Sequence, residues 1–441
     1  MAQLSSIIMQ YIDASMVGRL GADDSASIGL MSSSLWLFWG ICSAATAGFS
    51  VQVAHRVGAT DYASARKIVA QGITASFIFG TVMALIGLAI ARPLPHWLGG
   101  SENVCGNATL YFAVFVGALP LLTLNYLGSG ILRAAGNMKV PGGLNMMMCA
   151  LDVVFNLYLI FPTRQVGWFG TTFTMPGAGL GVLGAALGTV SAEIVTVALV
   201  MWYLLRRQRH IALRGHDVSF RPTRPVLRNA VRVAAPMTLE HAVFAAAQIM
   251  ITIIVAPLGI VAIAANAFAV TAESLCYMPG FGIGDAATTL TGQSYGAGRP
   301  GLARQFAYIT VGMGMAIMTV MGVILYAAAP AVMSLMSPVE EIRTLGAEAL
   351  RIEAWAEPMY AASIVAYGAM VGVGDTILPA VMNFGSIWLV RIPLAALLAP
   401  TMGLAGVWAA MCAELCFRGA IFLWRLRGGY WLRKGLKTAP L

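Results

Sequence analysis

The chain has 441 residues, 59% of them hydrophobic and 10% charged, with a mean hydropathy of +0.79. Soluble domains carry roughly 25% charged residues, so a fold of this composition cannot cover its surface with polar groups, and the composition points to an integral membrane protein. The formal net charge of +9 is no sign of a nucleic-acid partner by itself, and the six cysteines form no CxxC pattern.

A helix needs about 20 apolar residues to cross a bilayer. The first such run, 3–20, lacks a basic leader and a small-residue cleavage site, so it is read as a spanning helix and not a signal peptide. It carries Asp13, in "QYIDASMVGRLG". Runs at 28–54, 68–91, 108–132, 141–162 and 178–205 complete a first group of six. The fifth contains Asp152 in "LDVVFN", with Asn156 one turn further on, and the sixth contains Glu193. "GLGVLG" at 179–184 fits a dinucleotide-binding pattern, but no βαβ unit surrounds it; close helix packing accounts for it. No Walker A sequence is present, which speaks against ATP as the energy source.

The long polar stretch "RRQRHIALRGHDVSFRPTRPVLRNAVR" then divides the chain. It separates a first bundle, 1–205, from a second, 232–426, with a basic linker at 206–231 and a tail at 427–441. The second group of spans reads 232–256 (with Glu240 and Gln248), 261–292 (with Glu273), 302–328, 349–371, 377–399 (with Arg391) and 403–426 (with Glu414). The halves resemble each other. "GILRAAGNMKVPGGLN" matches "GAMVGVGDTILPAVMN", and Pro120, Gly130, Gly136, Pro141 and Asn145 fall opposite Pro358, Gly368, Gly374, Pro379 and Asn383, each 238 residues away. Six spans per half make the repeats parallel in topology, and repeats enclosing a site are a common transporter plan.

Orientation follows from Lys and Arg placement. With the N-terminus inside, 21 of the 27 basic residues fall on inner loops and the tail, and Arg19, Arg92, Arg164, Arg343 and Arg351 lie outside. Asp23, Asp24, Glu102 and the acids of "PVEEIRTLGAEALRIEAWAEP" are assigned to the outer side. Both termini are therefore expected in the cytoplasm of a cell whose inner (plasma) membrane holds the protein. The positive charge is read as a topology signal that also meets anionic lipid head groups.

Ionisable groups inside spans are costly and usually face a cavity or an ion path. Asp13 and Asp152 lack a cation three or four residues away, so each is a candidate to exchange a proton or, with nearby amide oxygens such as that of Asn156, to bind Na⁺. Glu240 and Glu273, again without a nearby cation, could pair with a cationic ligand, and Gln248 joins them as a cavity candidate. Glu193, Arg391 and Glu414 stay open between a functional role and structural pairing; Glu414 has Arg418 one turn away. No nucleophile–base or metal constellation is apparent, so no enzymatic activity and no cofactor beyond a coupling H⁺ or Na⁺ is expected.

Several stretches resemble the multidrug and toxic compound extrusion (MATE) family: "IDASMVGRLG", "PMTLEHAVFAAAQ", "AANAFAVTAESLCYMPGFGIGDAATTLTGQSYGAGRP", "GVGDTILP" and "GLAGVWAAM". The resemblance implies twelve transmembrane helices in two pseudo-symmetric six-helix bundles forming a V around a central cavity. It also implies export of small cationic or amphipathic compounds in exchange for H⁺ or Na⁺, and a monomer is expected. Asp13 matches the family's first-helix coupling acid, and Asp152 and Asn156 fall where they would face it. Glu240 and Glu273 match acids of one bacterial branch. The stretch from Met359 to Gly372 has no acid where some sodium-linked relatives carry one, which favours coupling through the first bundle. A flippase for a lipid-linked saccharide has a similar two-bundle plan, but more cations are expected in its cavity to meet a pyrophosphate.

Overall fold

In the computed structural model the apolar runs become helices, and residues 21–168, 171–213 and 218–433 are described, with 9, 12, 16–18 and 435. Asp13, the first candidate acid, lies outside the described residues. Contacts divide the chain into two units, Met1–Ser50 with Tyr62–Ala230, and Val51–Asp61 with Val231–Leu441. The C-terminal end of the second predicted span therefore belongs with the second unit.

The first unit contains most of α1 (Ala22–Gly58), then α2 (Tyr62–Ile90), α3 (Glu102–Gly117), α4 (Leu119–Ala134), α5 (Lys139–Leu159) and α6 (Gly181–Arg206). The single run predicted at 108–132 is a bent pair, with α3 and α4 meeting at 45°. Pro120, in the first turn of α4, has no amide to continue the ladder of α3. The core is aromatic and aliphatic: Met31, Leu35 and Phe38 of α1 pack with Phe112, Phe115 and Leu119, and the Phe38 and Phe112 rings meet edge to face at 5.8 Å. Between α5 and α6 an antiparallel hairpin, β1 (Pro162–Trp168) with β2 (Thr171–Ala178), pairs Trp168 with Thr171 and Val166 with Phe173. It was not anticipated from the sequence, although β-branched and aromatic residues recur through "VGWFGTTFT".

The second unit contains most of α7 (Arg224–Val255), then α8 (Ile260–Gly296), α9 (Pro300–Met336), α10 (Glu340–Glu353), α11 (Glu357–Val373), α12 (Ile377–Gly385), a π-helical segment Ser386–Arg391, and α13 (Ile392–Gly428). The span predicted at 349–371 is divided between α10 and α11. The last two predicted spans run together as one long helical path that breaks at Gly403, whose φ of 61° and ψ of −141° are not helical. Trp408 lies fully buried just beyond the break, and its indole N–H donates to Asn266 at 3.0 Å. Eight described helices are each long and apolar enough to cross a membrane, or nine spans when the bent pair is counted as one.

The 238-residue repeat recurs in the backbone itself. Gly21 and Gly259, Thr60 and Gly298, and Gly136 and Gly374 are three pairs at that offset, and all six residues have positive φ. Helices α1 and α8 each run 37 residues, between boundaries that also differ by 238. Within the second unit their ends cross at glycine. A Cβ on Gly58 would fall 1.9 Å from the Gln293 carbonyl oxygen, and one on Gly296 would fall 2.0 Å from that of His55. Residues 55 and 293 are again 238 apart, so the crossing is symmetric. His55 Nε2 adds a 2.8 Å contact with the Gly372 carbonyl oxygen.

Gly403 occupies a backbone region that only glycine visits readily, so Gly403→Ala should cost about 1–3 kcal/mol. A lower thermal unfolding midpoint in detergent, with the helical content of the folded state unchanged, is the expected outcome.

Candidate functional site

In the first unit the candidate pair sits on α5. Asp152 and Asn156 are both fully buried, and the Asn156 amide donates to the Asp152 carboxylate at 3.2 Å. Their four-residue spacing places them on one face, as the sequence indicates. Opposite them α6 is stripped of side chains: a Cβ on Gly188 would lie 2.0 Å from the Asn156 side-chain oxygen, and one on Gly184 would lie 2.4 Å from the Leu159 carbonyl. Glycine at these positions lets α6 close over the acid–amide pair. Val17 packs on Ile160 and Ala185 at the end of the same helix pair, which brings part of the first predicted span to α5 and α6.

Glu193, one turn beyond Gly188 on α6, is buried and accepts a hydrogen bond from the Asn125 amide at 2.7 Å. Ser129 in turn donates to Asn125 at 3.3 Å. The partner is thus a neutral amide chain and not the cation that a structural ion pair requires.

The second unit sorts its acids differently. Glu240 on α7 is held by the Tyr367 hydroxyl at 2.6 Å and by the Asn383 amide. Gln248 lies exposed two turns along the same helix. Glu273 on α8 is buried within electrostatic reach of Arg391 and Arg418. Those two arginines grip Glu414, which is wholly buried. Arg391 Nη2 lies 2.7 Å and Arg418 Nε 2.8 Å from its carboxylate oxygens, and the Ser386 hydroxyl donates to it as well. The π-helical segment supplies both Ser386 and Arg391. Glu414 and Arg391, left open by the sequence, therefore form a buried Arg–Glu–Arg triad with Arg418. Arg418 also sits over the Tyr360 ring at 5.7 Å.

Two acids were missed. Sequence reading assigned Glu353 and Glu357 to the acid-rich outer stretch, whereas both are fully buried, and none of their four carboxylate oxygens has a hydrogen-bond partner among the described residues. They end α10 and begin α11, within electrostatic reach of Glu273. The available signal was their position inside the predicted span 349–371, just before the apolar run "PMYAASIVAYGAMVGV".

Comparison with known proteins follows the same outline. A family model described as MatE matches residues 1–158 and 236–397. The chain is 26% identical to the multidrug resistance protein NorM of Burkholderia vietnamiensis, over all of this chain and 92% of that protein. It is 28% identical to a probable NorM of Pseudomonas aeruginosa, over 94% and 84%. Among solved structures, one titled as a MATE in complex with MaL6 superposes with a TM-score of 0.89 at 20% identity, covering 98% of this chain and 94% of that one. The outward-facing conformation of a multidrug resistance MATE family transporter gives 0.88 at the same identity and coverage. The last two comparisons concern the fold alone.

Removing one partner of a buried ion pair strands the other, at a cost of roughly 3–5 kcal/mol, whereas replacing a whole buried triad by apolar residues is often neutral. Arg418→Met should therefore lower the unfolding midpoint sharply, and the combined Glu414→Leu, Arg391→Met and Arg418→Met protein should recover most of the loss.

Proposed function

The chain belongs to the MatE family, and on that premise we propose that it is a secondary active antiporter that exports small cationic or amphipathic organic compounds in exchange for H⁺ or Na⁺. The chain is a multi-pass membrane protein; we place it in the cell's inner membrane with both termini in the cytoplasm. The multidrug names carried by its relatives support the substrate class. The observation that carries the coupling assignment is the wholly buried Asp152, set in an apolar helix with the Asn156 amide donating to it and glycines of α6 packed against that amide.

An ionised carboxylate is expensive to bury without compensation. Uptake of a cation from the outer side neutralises Asp152 and changes what the Asn156 amide donates to. Helices α5 and α6, which meet where the Asn156 side chain lies on Gly188, then repack, and the repacking lowers the affinity for the organic cation. Asp13, four residues before Val17, is assigned to the same machinery. The energy scale is adequate: one charge crossing 100 mV is worth about 2.3 kcal/mol before any concentration gradient is added. Glu240 and Glu273 are assigned to the positively charged part of the cargo, each able to exchange its present protein partners for an organic cation. Gln248, exposed on α7, adds an amide contact.

The test uses the full chain in proteoliposomes with ethidium as cargo, under an imposed pH gradient and, separately, a sodium gradient. Asp152→Asn should lose at least tenfold in the exchange rate while inserting normally, and Asp13→Asn should behave alike. Wild-type rates from Asp152→Asn would remove that residue from coupling. Failure of both gradients to move ethidium through the wild-type protein would count against exchange of organic cations altogether.

A further inference from the structure

A cavity of about 900 Å³ opens on the flank of the second unit, between α9, α10 and α13. Glu340, Arg343, Glu348 and Arg351 lie in its wall, four charged groups that favour water over lipid tails there. Arg351 lies over Tyr326 there, its guanidinium 5.5 Å from the ring centre. The rest of the wall is mostly apolar, with the hydroxyls of Ser334 and Thr344 among it. Ile352 lines it and immediately precedes Glu353; Ala413 lines it and immediately precedes Glu414. Cys412, also in the wall, is within electrostatic reach of Glu353. Glu353 itself does not line the cavity; Cys412 is the wall residue that links it to this buried carboxyl, which has no hydrogen-bond partner among the described residues.

A buried carboxyl in that condition has two stable choices, to hold a proton or to take up a cation. The groups facing Glu353 do not remove the need: Glu273 from α8, Glu357 from α11 and Glu414 from α13 repel its charge, and Arg391, the cation among them, is already bound by Glu414. Resting on the reading that the protein exchanges a cation for cargo, we infer that the flank cavity is an aqueous route by which protons reach Glu353, giving the second unit a loading site of its own with Cys412 at its gate. The Glu353 carboxylate takes a proton from water in the cavity, and the reverse step returns it.

The experiment is infrared spectroscopy of the full chain in lipid nanodiscs transferred to D₂O. The carboxylic C=O band lost in Glu353→Gln identifies the group, and its shift on deuteration times the exchange. In Cys412→Ala the band should shift at least as fast as in the wild type. In Cys412→Trp it should shift at least tenfold more slowly, with backbone amide exchange unchanged as the control for folding. Reaction of Cys412 with a cationic methanethiosulfonate, in a protein whose other five cysteines are replaced, gives the same plug without refolding. The plugged protein should also lose at least tenfold in pH-driven ethidium exchange while still binding the dye. Equal deuteration rates with and without the plug, or no band assignable to Glu353, would overturn the inference. So would slowed deuteration with undiminished exchange. Absence of exchange in the unplugged protein counts against the transport reading instead, and the infrared rates still decide the route.

Discussion

A carboxyl withdrawn from water has to be compensated, and the architecture of both units is organised around how each acid is answered. Glu414 is met by two guanidinium groups and a hydroxyl, and this requires the helix to widen into a π-helical segment that turns Ser386 and Arg391 inward together. π-Helical turns of this kind tend to occur at functional sites. Once formed, the triad fixes α13 against that segment and leaves Arg418 facing Tyr360 and Glu273. Glu240, Glu193 and Asp152 each have neutral amide or phenol donors among their partners, groups that orient a carboxylate without cancelling its charge. Glu353 and Glu357 are left without donors. The protein therefore contains a graded set of acids, from the ion-paired Glu414 to the donor-less Glu353 and Glu357, and the acids outside the triad have the most to gain from taking up a cation.

Much of this was legible in the sequence because membrane spans are long and their polar residues few. Eleven of the twelve predicted spans are found as helices among the described residues, and the first lies mostly outside them. The Asp152–Asn156 contact followed from spacing alone. What escaped was of three kinds. The bend between α3 and α4 and the break at Gly403 are single backbone choices inside uniformly apolar runs, where periodicity carries no information. The hairpin at 162–178 was passed over as a connector between two strong helical signals. The burial of Glu353 and Glu357 was hidden by composition: their neighbours Glu340, Glu341 and Glu348 are exposed, and a stretch averaged as acidic reads as solvated throughout. The partners of Glu414 divided along the same line. Arg418, four residues away, was within reach of helical spacing; Arg391, on another element, required the fold.

The glycines of α6 show how much of the first unit's chemistry is set by absence of bulk. Gly184 and Gly188 contribute no group to the acid–amide pair, yet a Cβ at Gly184 would run into the α5 backbone and one at Gly188 into the Asn156 side chain itself. Small residues at helix interfaces are the usual means of close approach in lipid, where burial of apolar surface gives no drive for association. Here the same device sets the volume around a carboxyl.

The crossing of Gly58 with Gly296 has a different implication. Each glycine receives the carbonyl of the residue three places before its counterpart, so the contact is its own mirror under exchange of the two helix ends. Surfaces of that sort are what two identical chains present to each other about a two-fold axis. Duplicating one ancestral half in a single gene carries both sides of such a contact along together, so the joined product needs no newly evolved seam at this point. The glycine pair is the place where a former dimer would have left its signature inside one continuous chain.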